Sequence, residues 1–95
     1  MIYANIVLTA NDAQDVSEVR ELLRQHGRLS RKEPGCSGFD IFQSQADPKV
    51  FLLCERWESE AALDVHRTAK GYMEIYQPKV MPRVSRVAHR SDLVE

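Results

Sequence analysis

The sequence predicts an α+β fold in a single domain spanning residues 1–95, an antiparallel sheet with helices on one face. Three observations predict it. A chain of 95 residues has room for one hydrophobic core and no second. Segments rich in Ile, Val and aromatics alternate with segments of helical periodicity, in the order strand, helix, strand, strand, helix, strand. The second and third strands are joined by a connection short enough for a hairpin. With 43% hydrophobic and 28% charged residues, the composition is that of a globular domain and not of a disordered chain.

Ile2 to Thr9 reads as the first strand, with Ile2, Ala4, Ile6 and Leu8 on one face and Tyr3, Asn5, Val7 and Thr9 on the other. After a turn at Ala10-Asn11-Asp12, the side-chain oxygen of Asn11, Asp12 or Asp15 can accept from the free N–H groups of a helix start. Val16, Val19, Leu22, Leu23, His26 and Leu29 then recur at spacings of three and four, which is one face of a long amphipathic helix. Gly27 costs that helix about 1 kcal/mol against alanine. Arg20, Arg24, Arg28 and Arg31 form a separate stripe, most simply a solvated face. Pro34 disfavours helical backbone at Glu33, and Gly35 permits a turn, so the helix ends here.

Gly38 to Gln45 is the second strand, Ala46 to Lys49 a turn, and Val50 to Trp57 the third strand. Ser59 caps a helix from Glu60 to about Thr68, whose inner face carries Ala62, Leu63 and His66. That helix breaks at Lys70-Gly71. A stripe of Tyr72, Met73, Tyr76 and Val80 resumes it, disturbed by Pro78 and closed by Pro82. Val84 to His89 is the last strand. This order is the split βαβ pattern of ferredoxin-like folds.

Five successive apolar residues, Val50 to Cys54, imply burial on both faces of the third strand. One helix layer covers one face only. The open face is therefore assigned Ile2, Ala4, Ile6, Leu8, Val50, Leu52, Cys54, Val84 and Ala88, a patch apolar enough to require a homodimer, sheet against sheet. The helix-covered face is assigned Tyr3, Asn5, Val7, Phe39, Ile41, Phe51, Leu53, Glu55, Trp57, Val87 and His89, and any pocket is expected on that side.

A net charge of −1 argues against a nucleic-acid binder, which needs a basic surface to displace counterions from phosphate. No apolar run approaches the roughly 20 residues of a membrane span, and the N-terminus lacks the pattern of a signal peptide. Two cysteines, Cys36 and Cys54, make neither a disulfide framework nor a metal quartet, so a reduced, cytoplasmic protein is expected. His26, His66 and His89 share no short metal-ligand spacing. There is no glycine-rich phosphate loop and no nucleophile elbow.

Three stretches together, Glu33-Pro34-Gly35-Cys36-Ser37-Gly38-Phe39-Asp40, Leu53-Cys54-Glu55-Arg56-Trp57-Glu58-Ser59 and Ala61-Ala62-Leu63-Asp64-Val65-His66, resemble the antibiotic biosynthesis monooxygenase domain family in order and spacing. The resemblance implies a ferredoxin-like monomer, a homodimer whose sheets form a dimeric α+β barrel, and a pocket between sheet and helices. It implies an activity within a range: cofactor-independent oxygenation of polyphenols, anthrones or quinols, haem binding and degradation, or isomerisation of a phosphorylated sugar. The chain departs from the family pattern twice. Lys70 and Gly71 stand where a proline and a second histidine often occur, and Asn5 stands where the first strand often carries glutamate.

The resulting expectation is a monooxygenase that takes O₂ and a small electron-rich aromatic, such as a hydroquinone or anthrone, without metal or flavin. His66 is the candidate base or proton relay, since neutral imidazole takes a phenolic proton near pH 7. Asn5 is the candidate donor to the developing oxyanion, and Trp57 the candidate wall against the ring. The pocket is expected to include Tyr3, Phe39, Ile41, Phe51, Leu53, Glu55, Leu63, Tyr72 and Tyr76, with Glu55 either a buried acid or, more simply, paired with an arginine. His89 either shares the pocket or lies in solvent at the strand end. Two alternatives stand beside this reading: haem bound through His66 with Asn5 and Trp57 nearby, and a non-catalytic dimer that binds a small hydrophobic ligand.

Overall fold

A computed structural model describes all 95 residues. Four strands, β1 (Ile2–Ala10), β2 (Cys36–Gln43), β3 (Val50–Trp57) and β4 (Val84–Ser91), form one antiparallel sheet in the order β2-β3-β1-β4. Helices α1 (Val16–Ser30), α2 (Glu60–His66) and α3 (Gly71–Val80) cover one face. No helix is long and apolar enough to cross a membrane.

Local chemistry sets the element ends. Asp12 Oδ1 accepts from Gln14 N at 2.9 Å and opens a single 3-10 turn ahead of α1. Ser59 Oγ accepts from Ala62 N at 3.1 Å and caps α2. Gly35 sits at φ 81°, a left-handed conformation that costs other residues roughly 1–2 kcal/mol. Its carbonyl accepts from Glu58 N at 2.8 Å, which ties the α1–β2 turn to the end of β3. The helix resumed at Gly71 is wound more widely than an α-helix. Its last turn closes from Met81 N to Tyr76 O, five residues back, and the wide winding accommodates Pro78.

The strand register corrects the face assignment. Ile6 lies opposite Leu53, and Leu8 opposite Phe51, so the even residues of β1 join the odd residues of β3. Ile6, Leu8, Phe39, Phe51, Leu53 and Trp57 meet Val19, Leu22, Leu23 and Leu63 of the helices in the core. On β2 and β3 the expected covered set, Phe39, Ile41, Phe51, Leu53, Glu55 and Trp57, is on the helix side. On β1 and β4 the phase is the reverse of expectation. Tyr3, Asn5, Val7, Val87 and His89 face away from the helices, and Ile2, Ala4, Ile6, Leu8, Val84 and Ala88 face them. The reason is energetic: the more apolar half of β1 belongs in the dry core, where each side chain gains most.

The open face is less apolar than expected. It carries Val7, Phe42, Leu52, Cys54 and Val87 among Asn5, Asp40, Arg56 and His89. Phe42 (53%), Leu52 (37%) and Val87 (54%) expose large apolar surface there.

Candidate active site

A cavity of about 350 Å³ opens between the β1–β4 side of the sheet and the helices. Ala4, Ile6 and Ala88 floor it, Leu63 and His66 of α2 and Tyr72 and Tyr76 of α3 wall it, and His26 reaches it from α1. Arg67, Arg86 and Arg90 stand around its mouth. β4 is an edge strand that the helices cover only in part, so its helix-side positions Arg86 and Arg90 can carry charge.

His66 is the centre of a buried polar cluster. Its Nδ1 meets Glu33 Oε1 at 2.8 Å, and its Nε2 lies 3.9 Å from Glu55 Oε1. Trp57 Nε1 donates to the same Glu55 oxygen at 3.0 Å. The three stretches noted in the sequence therefore converge: one supplies Glu33, the second Glu55 and Trp57, the third His66. Pro34-Gly35 delivers Glu33 to this point, because the turn folds the end of α1 back over α2.

Burial pushes these groups toward their neutral forms. It raises Glu33 to about 7 and Glu55 to about 7. Burial, with the Arg67 charge nearby, lowers His66 to about 4. His66 is thus neutral at pH 7, and the position of one proton follows from Glu33. With Glu33 ionised, Nδ1–H donates to the carboxylate and Nε2 presents a bare lone pair. With Glu33 protonated, its O–H donates to Nδ1 and the imidazole proton moves to Nε2.

His26 was legible as an inner-face residue of α1 but not as part of a site. Its ring stacks on Tyr76 at 4.7 Å and 14°, and its centroid lies 5.5 Å from that of His66. Burial, and secondarily His66, lowers it to about 3. Its Nδ1 faces the Gly71 backbone without a hydrogen bond of good geometry. A Cβ at Gly71 would sit 3.1 Å from that nitrogen and 3.3 Å from Leu29 Cβ. The space that a second histidine would need at position 71 is filled here by an imidazole from α1.

Of the expected pocket residues, Glu55, Leu63, His66, Tyr72 and Tyr76 line the cavity. Trp57 does not wall it. Its ring is fully buried, 4.4 Å from the His66 ring, and its role is to hold Glu55. Phe39 backs both histidines at 5.3 and 5.8 Å, and Ile41, Phe51 and Leu53 belong to the core beneath. Asn5 and Tyr3 are on the opposite face of the sheet, where Asn5 Nδ2 donates to Ser91 Oγ at 3.1 Å. His89, opposite Asn5 in the ladder, borders the cavity only from the β4 edge. Glu55 makes no salt bridge to an arginine. Glu33, His26, Arg67, Arg86 and Arg90 were missed. Glu33 lies in the first of the three family-like stretches, where Pro34-Gly35 signals a turn and nothing local signals a site.

The donor set does not suit haem. Asn5 and Trp57 do not reach the cavity. No group of three or more His, Cys, Asp or Glu residues is placed to hold a metal ion.

Fold and cavity together define a ferredoxin-like α+β domain with a polar pocket between sheet and helices. The family model of antibiotic biosynthesis monooxygenases matches residues 1–77, and the chain belongs to that family. A crystal structure of an antibiotic biosynthesis monooxygenase superposes with a TM-score of 0.86 at 25% identity, over 98% of this chain and 99% of that one. Rv0793 of Mycobacterium tuberculosis superposes with a TM-score of 0.82 at 27% identity, over 100% and 98% of the two chains. A Bacteroides thetaiotaomicron protein described as a possible oxidoreductase shares the fold with a TM-score of 0.89 at 21% identity, over 97% and 96%.

Proposed function

We propose that this protein is a cofactor-independent monooxygenase of a small electron-rich aromatic, a hydroquinone, naphthol or anthrone. The observation that carries the reading is the Glu33–His66 pair at the cavity wall, with Nε2 turned inward. Family membership supports the reaction class. A cavity of about 350 Å³ suits a ligand of one to three rings.

The proposed steps balance for an anthrone-type CH₂ group. His66 Nε2 takes one proton from the substrate carbon, with charge delocalised onto the ring oxygen. The carbanion passes one electron to O₂. The substrate radical and superoxide join in a C–O bond, and the peroxide takes up the proton held by the imidazolium. Loss of the second C–H proton to a base, and of hydroxide from the peroxide, leaves C=O and one water. Glu55, raised to about 7, is placed to exchange that proton with the leaving oxygen. Sheet, Tyr72 and Tyr76 keep the ring out of bulk water.

The test is turnover of a panel of hydroquinones, naphthols and anthrones by metal-stripped protein under ¹⁸O₂. One labelled oxygen atom per product is expected. Ligand binding with no oxygen consumed across the panel would move the protein to the non-catalytic reading.

The exposed apolar residues of the open face support a second part of the proposal, a homodimer through that face. The cavity lies on the other side of the sheet, so each protomer carries its own site.

A further inference from the structure

We infer that the substrate is anionic, an aromatic carboxylate, and that Arg86 reads its charge. The inference rests on the cavity being the substrate site.

Three arginines line the cavity and two are already engaged. Arg90 makes a two-pronged contact with Glu60, at 2.8 and 3.1 Å. Arg67 contacts Asp64 at 3.4 Å. Arg86 has no carboxylate within 4.0 Å and no ion pair. Its Nε donates to Tyr76 Oη at 2.9 Å, and its guanidinium carbon lies 6.0 Å from the Tyr76 ring centroid. That bond fixes the plane of the guanidinium from behind. The end-on pair, Nη1 and Nη2, makes no hydrogen bond within the protein, so a fork suited to one carboxylate remains open.

Arg86 is exposed at the cavity mouth, and water is the partner its charge has there. Glu55 is the only acidic residue that lines the cavity, and burial keeps its proton on up to about pH 7. A neutral phenol would leave the fork to water. A ring carrying a carboxylate beside its hydroxyl would pair with Arg86 and keep the hydroxyl in the cavity that His66 lines. Arg86 is a specificity residue on this account, and it takes no part in proton transfer.

The test compares two fluorescent probes, 3-hydroxy-2-naphthoate and 2-naphthol, by titration at pH 6, where Glu55 keeps its proton. The wild-type protein is expected to bind the carboxylate about tenfold more tightly or better. Arg86→Gln is expected to erase that preference, with the loss of affinity falling on the carboxylate far more than on 2-naphthol. Arg86→Lys, which keeps the charge without the fork, retains part of it. Tyr76→Phe, which removes the bond that orients the guanidinium, is expected to weaken the preference without erasing it. Equal affinity for the two probes in the wild type, or a preference that survives Arg86→Gln, overturns the inference and leaves the site itself standing. If neither probe binds, or if binding leaves the His66 ring resonances unmoved, the inference and the cavity as substrate site fall together.

Discussion

The state of His66 depends on whether Glu33 is ionised, because the two share a 2.8 Å hydrogen bond. With Glu33 raised to about 7, the form with a bare Nε2 appears as pH rises through neutrality. Nitrogen-15 shifts of the His66 ring are expected to report a change from Nε2–H to Nδ1–H centred near pH 7. In Glu33→Gln the amide oxygen accepts from Nδ1–H at every pH, so that change is expected to vanish. If it persists unaltered, Glu55 and not Glu33 governs the ring. The same burial shapes stability. His26 and His66 have folded values of about 3 and 4 against 6.5, so the stability they contribute is present above pH 6.5 and is lost as pH falls. Glu33 and Glu55 are raised from 4.5 to about 7, so theirs is present below pH 4.5 and is lost as pH rises to 7. The slopes oppose between 4.5 and 6.5, and below 4.5 only the histidines still titrate. Thermal unfolding is expected to show a nearly level Tm across the first window and a fall beneath it, and His26→Phe is expected to soften that fall.

At the scale of elements, Gly35 is the point where turn chemistry places a site residue. Gly35→Ala meets both a positive φ and an Ala62 Cβ only 2.5 Å from the new Cβ. A loss of roughly 1–3 kcal/mol is expected in urea unfolding, with the Glu33 contact loosened. No loss would mean the turn is less constrained than its geometry. Element order, the hairpin, the capping Ser59 and the span of β3 were all legible, because turn residues and periodicity are local signals. The phase of β1 and β4 was not. Both faces of β1 carry apolar residues, and only pairing with β3 and the cover of α1 decide which face is dry. The site followed the same division. His66, Leu63, Tyr72 and Tyr76 follow from helix faces and Glu55 from strand alternation. Glu33 and Arg86 enter only through long-range geometry.

At the scale of the whole molecule, one sheet face is covered by helices and the other is not. Light scattering is expected to give the mass of a dimer, and Val87→Asp, which buries a charge in the proposed interface, is expected to give a monomer. A wild-type monomer would leave Phe42, Leu52 and Val87 without an account. The central claim is that chemistry occurs in the cavity on the helix side of the sheet, not on the face that carries Asn5. Oxygen uptake by wild type, His66→Ala and Asn5→Ala, measured side by side at an oxygen electrode with the best substrate of the panel, tests it most directly. Uptake is expected to be lost in His66→Ala and kept in Asn5→Ala. Uptake kept in His66→Ala and lost in Asn5→Ala would contradict it.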